Sequence, residues 1–64
     1  MQIKTIRAAR IIAGKKQSEV AKELGVSTRT YRKWEQNPEL LTIQNATKLA
    51  KFLEQTLDTI ILLR

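Results

Sequence analysis

Residues 17–35 run Q-S-E-V-A-K-E-L-G-V-S-T-R-T-Y-R-K-W-E, which reads as two short helices joined by a tight turn. Val20 and Leu24 sit one helical turn apart, as do Tyr31 and Trp34, so each half carries a single apolar stripe. The spacing predicts helices over Gln17–Leu24 and Thr28–Gln36, with Gly25-Val26-Ser27 as the turn. Gly25 stands where a left-handed backbone is cheap only for glycine. Ser27 is a natural N-cap for the second helix, its hydroxyl accepting from a backbone N–H two or three residues on. Ala21 is small where two steeply crossing helices approach closely.

The flanks extend this pattern. Ile3, Ile6, Ala9, Ile12 and Ala13 recur near a 3.6-residue period, and Gly14 stops them. A first helix is expected over about residues 3–13, with Ile3, Ile6 and Ala9 or Ala13 toward the core. After Gln36, Pro38 ends the second helix of the pair and biases Asn37 to an extended backbone. Thr42 can cap a fourth helix over about residues 43–53, striped by Ile43, Ala46, Leu49, Ala50 and Leu53. Thr56 can cap a last short one, with Asp58 favourably placed in its first turn. The fold class is therefore all-α, a compact five-helix bundle in one domain, residues 1–64. Its ending, Ile60-Ile61-Leu62-Leu63-Arg64, does not fit one core. Four consecutive apolar residues on a helix cannot all face the same side, so residues 56–64 are expected to meet a second copy or another protein. A short dimerising strand, or a tail folded back on its own core, are the alternatives.

Composition narrows the chemistry. The chain has 64 residues, no cysteine and no histidine. A core of that size contributes no more than about 3–5 kcal/mol net, which oligomerisation would supplement. Six carboxylates without His or Cys offer no nucleophile–base pair and no metal cluster, so no catalytic residue, metal, cofactor or small-molecule ligand is expected. No apolar run approaches the ~20 residues of a membrane span and no signal peptide opens the chain, so a soluble cytoplasmic protein without membrane contact is expected. Charge is uneven. Residues 1–33 hold nine Lys/Arg against two Glu, whereas residues 34–64 hold three Lys/Arg against four Asp/Glu. The basic half contains the helix pair, the asymmetry expected of a nucleic-acid binder.

The set Gln17, Val20, Ala21, Leu24, Gly25, Val26, Ser27, Tyr31, Trp34, Glu35 resembles the helix-turn-helix of the Cro and phage-repressor (Xre-like) family. Ile3-x-x-Ile6-Arg7-x-x-Arg10 before Gly14 is similar to that family's first helix. Thr42-Ile43 through Leu53, then Thr56-Leu57-Asp58-x-Ile60, are similar to its fourth and fifth. The resemblance implies a lambda-repressor-like DNA-binding domain whose third helix enters the major groove of double-stranded operator DNA. It further implies a homodimer on a near-palindrome, of phage or prophage repressor type. The loop departs from the family's usual Asn-Gly: here it is Gln36-Asn37-Pro38-Glu39, acidic and without a basic residue for the DNA backbone.

Site residues follow from the helical wheel and the resemblance together. With Tyr31 and Trp34 inward, Arg29, Arg32, Lys33 and Gln36 point outward with Thr28 on the flank, nearly all donors and no acid. A merely solvated face more often mixes signs. Arginine and lysine in the major groove favour guanine, and threonine touches a thymine methyl. The resemblance puts Thr28, Arg29 and Lys33 at base-reading positions. Arg32 either reads a base or grips phosphate, Thr30 contacts the DNA backbone or supports the cap, and Gln36 is a backbone candidate. Gln17 resembles the family glutamine that touches the backbone. Lys15 and Lys16 meet a phosphate beside it or are ordinary solvated lysines, and Glu19 and Glu23 are expected only to solvate the second helix. The family's arginine–glutamate pair falls on Arg10 and Glu35, and the wheel puts Glu35 at the margin of the Tyr31–Trp34 face. Ile60, Ile61, Leu62 and Leu63 are the oligomer or partner candidates. The expected function is a sequence-specific transcriptional regulator. The alternative is a small protein-interaction module that modulates a partner regulator protein or acts as an antitoxin.

Overall fold

The computed structural model describes residues 5–63. Its elements are α1 (Ile6–Ile12), α2 (Gln17–Leu24), α3 (Thr28–Gln36), a 3₁₀ turn (Pro38–Leu40), α4 (Ile43–Phe52) and α5 (Leu57–Leu63). The described residues contain five α-helices and no strand, an all-α bundle in which α2 packs on α3 and α4, and α5 on α4.

Hydroxyl caps set most of the starts. Thr5, Ser27, Thr42 and Thr56 accept from the N–H of Ala8, Thr30, Asn45 and Thr59 at 3.0, 3.1, 3.2 and 3.1 Å. The Thr5 cap makes α1 begin later than its apolar period suggests, and Ile3 lies outside the described residues. Helix α2 has Lys16 in the cap position, which has no side-chain acceptor; instead the Glu19 carboxylate accepts from the Lys16 N–H at 2.8 Å. Glu19 thus closes the helix start rather than only solvating it.

Three helices end in one way. Gly14, Gly25 and Glu54 have φ of +74°, +73° and +57°. In each case the N–H of that residue and of the next fold back on the last turn. Glycine takes this conformation freely; Glu54 does not.

The core is Ile6 and Ala9 of α1, Val20, Ala21 and Leu24 of α2, Tyr31 of α3, Leu41, then Ala46, Leu49 and Ala50 of α4 with Leu53, and Ile60 of α5. Trp34 and Val26 pack against it half-buried. Ile12 lies on the apolar period but outside the residues expected in the core, and it is 47% exposed, about 120° around the helix from Ile6. The short last helix expected after Thr56 is present and its strand alternative is not, but one expectation changes: Ile60 is fully buried in its own bundle, with Leu63 packed against the core. Ile60 therefore cannot contact a partner; Ile61, and Leu62 at 86% exposure, remain outward. No helix among the described residues is long and apolar enough to cross a membrane.

Candidate nucleic-acid interface

Helix α3 presents Arg29, Arg32, Lys33 and Gln36 to solvent, with Thr28 and Thr30 half-buried near its start. Thr30 is engaged locally: its N–H and its hydroxyl both meet the Ser27 hydroxyl, at 3.1 and 3.0 Å. Among the described residues the single ion pair is Arg10–Glu35, so the three basic side chains of α3 carry uncompensated charge. A row of unpaired cations on one rigid helix face attracts a polyanion and aims five-donor guanidiniums at whatever lies against it.

Behind that face a polar cluster ties three helices together. Arg10 Nε donates to Glu35 Oε2 at 2.6 Å, and the two side chains are 11% and 4% exposed. Arg10 Nη1 donates to the Lys15 carbonyl at 2.9 Å, and Gln17 Nε2 donates to Glu35 Oε1 at 3.0 Å. The first residue of α2 is thereby held against the last turn of α3. Burial alone raises the Glu35 pKa, but hydrogen bonds from Arg10 and Gln17, the nearby Tyr31 hydroxyl and the Arg10 charge outweigh it, holding the carboxyl below its ordinary value. Tyr31 is buried beside the pair. Its hydroxyl has no partner in good hydrogen-bond geometry, yet lies near enough to feel Glu35; burial, then the carboxylate, push its pKa far up and keep it neutral.

The remaining candidates are arranged as follows. Lys16 is exposed beside Gln17, whereas Lys15 is half-buried with its Nζ 4.9 Å from the centroid of the Phe52 ring. That contact is a cation–π interaction, and it draws the Lys15 charge toward α4. The structure brings Arg10, Lys15, Gln17 and Glu35 into one network and leaves Arg29, Arg32, Lys33 and Gln36 outside it. Sequence reasoning missed the Gln17–Glu35 bond and the Lys15–Phe52 contact, which join residues distant along the chain, and the Arg10–Lys15 bond, which depends on the course of the connection between α1 and α2. The Glu19 cap had a visible signal, a glutamate three residues after the cap position.

Helix α2, a glycine turn and α3, set in an all-α bundle with a basic outward α3 face, define a helix-turn-helix DNA-binding domain. The comparison with known families agrees: residues 6–60 match the family model described as Helix-turn-helix. The chain belongs to that family, in its Xre/Cro-like form, and is a DNA-binding helix-turn-helix regulator. No curated protein and no solved structure gives a significant match.

Proposed function

We infer that the protein is a sequence-specific transcriptional regulator of the Cro-like repressor type, dimeric, reading operator DNA in the major groove with α3. The observation that carries this reading is the outward α3 face, whose Arg29, Arg32 and Lys33 are exposed and unpaired among the described residues. Thr28, Arg29, Arg32 and Lys33 are assigned to base edges. Gln17, Lys15, Lys16, Thr30 and Gln36 are assigned to the backbone, Lys15 and Thr30 with part of their capacity already engaged. Phosphate neutralisation supplies affinity and the base-edge contacts supply choice. One chain presents one reading helix. A twofold dimer places two of them about 34 Å apart, matching a near-palindrome, and regulation is by occupancy of the site.

Selection from a random duplex library at about 150 mM salt tests this. The expected result is a near-palindrome with half-sites one helical turn apart. Salt-sensitive binding without enrichment of any sequence overturns it.

A second reading has its own support. Leu40, Ile43, Ile61 and Leu62 are exposed, which suits a module that binds a partner regulator or a toxin. A stoichiometric heteromeric complex, with DNA binding no tighter to one sequence than to another, would favour it.

A further inference from the structure

The Arg10–Glu35 pair departs from the form a simple staple between α1 and α3 would take. A guanidinium and a carboxylate closed only on each other form two parallel hydrogen bonds. Here each gives the other one arm, and both spare arms go to the same short connection. Arg10 Nη1 donates to the Lys15 carbonyl, and Glu35 Oε1 accepts a hydrogen bond from Gln17 Nε2. Residues 15–17 are the segment assigned above to the DNA backbone.

We propose that Arg10 and Glu35 are positioning residues for the DNA-backbone contact, fixing the Lys15 carbonyl and the Gln17 carboxamide so that α2 meets phosphate with a free Gln17 N–H. This rests on the reading of Gln17 as a backbone contact. A primary amide has two N–H donors and one acceptor oxygen. A free glutamine presents either end, and its oxygen repels a phosphate. With one N–H held by Glu35, the second remains in the same plane and the amide cannot invert. The Glu35 carboxylate does not itself repel the phosphate, because Arg10 neutralises it at 2.6 Å. The fixed donor matters here because the backbone N–H of Lys16, the neighbouring donor at this helix start, is already bound to Glu19.

A double-mutant cycle on random-sequence duplex DNA, read well below every melting midpoint, separates the parts. Gln17→Ala is expected to weaken binding about tenfold in the wild-type background and less than twofold in Glu35→Gln. A tenfold loss in both backgrounds overturns the positioning role while leaving the contact standing. No loss from Gln17→Ala in the wild type overturns the contact and the proposal with it.

Should Glu35→Gln fail to fold, the unmodified protein supplies a second readout by NMR. The groups facing Glu35 are Arg10 from α1, Gln17 from α2 and Tyr31 from α3. On acidification below the ordinary carboxylate range, the Gln17 side-chain amide resonances are expected to move with Glu35 protonation while the α3 backbone amides keep their native shifts. A Gln17 amide indifferent to that titration overturns the proposal.

Discussion

Helices α3 and α5 each bury one stripe, and what they leave outside differs in kind. On α3 the outward residues are Arg29, Arg32, Lys33 and Gln36; on α5 they are Ile61 and Leu62. Unpaired cations seek an anion, and a contact of that sort weakens as salt displaces it. Exposed aliphatic side chains seek another apolar surface, and structure-making salts strengthen that contact. One small bundle therefore carries two faces with opposite salt dependence. The dimeric DNA binding proposed above would use both, and the two can be disabled separately.

The largest effect is expected where the α3 face is anchored. Arg10→Met leaves Glu35 buried without its cation, a loss of about 3 kcal/mol. For a domain of this size that lowers the melting midpoint by about 12–24 °C. The pH dependence should weaken as well. In the wild type the folded pKa of Glu35 lies below its ordinary 4.5, so its stabilisation is present above that value and is lost as pH falls through the folded pKa. Removing Arg10 takes away its hydrogen bond and its charge while burial remains, so the folded pKa rises. The variant should then lose less stability than the wild type as pH falls through that range. Thermal melts at several pH values check both claims; an unchanged midpoint would make the pair an ordinary surface contact.

Next in size are the residues proposed to read base edges. Arg29→Ala or Lys33→Ala should cost about 1–3 kcal/mol on the selected operator and relax the base preference at one position in each half-site. Equal losses on operator and random DNA would move that residue to the phosphate group. Neither change should alter the melting midpoint, since both side chains are exposed and outside the polar network.

Much of this was legible because its signals are local. Gly25 and Ser27 mark a helix end and a helix start within three residues, and α2 and α3 have the bounds read from the sequence. The outward α3 residues follow from the wheel once Tyr31 and Trp34 are turned inward. What escaped depends on tertiary approach. The family resemblance pairs Arg10 with Glu35 and the wheel puts Glu35 at the margin of the inward face, but the course of each spare arm depends on where residues 15–17 come to rest. Ile12 shows the same limit from the apolar side: a period of apolar residues in a seven-residue helix does not say how wide a stripe its neighbours cover. Ile60 shows it again, since a run of four apolar residues does not tell which of them the bundle takes.

The α5 face should respond to one charge. Leu62→Glu adds a carboxylate at a position 86% exposed, so the fold should survive while self-association weakens about tenfold, as sedimentation would show. Specific DNA binding should fall with it while binding to random DNA by the single copy changes little. Leu62→Glu with wild-type association would place the twofold contact elsewhere.

The smallest effect tests the repeated helix end. Gly14, Gly25 and Glu54 occupy the same left-handed position, and a Cβ built on either glycine meets nothing within 4 Å. What separates the three is thus the intrinsic strain of a Cβ-bearing residue in that conformation, with no clash against neighbouring atoms. A left-handed residue with a Cβ costs about 1–2 kcal/mol, and glycine returns about 0.5–1 kcal/mol of that through the extra freedom of the unfolded chain. Glu54→Gly should therefore stabilise by about 0.5–1 kcal/mol, and Gly25→Ala should destabilise by a similar amount. Chemical denaturation with both variants measures the two signs together. The Glu54 variant leaves both working faces untouched, so it should raise the melting midpoint without changing DNA affinity or self-association. A Glu54→Gly protein that is less stable would mean that Glu54 makes a favourable contribution through its charge that outweighs the strain of its backbone.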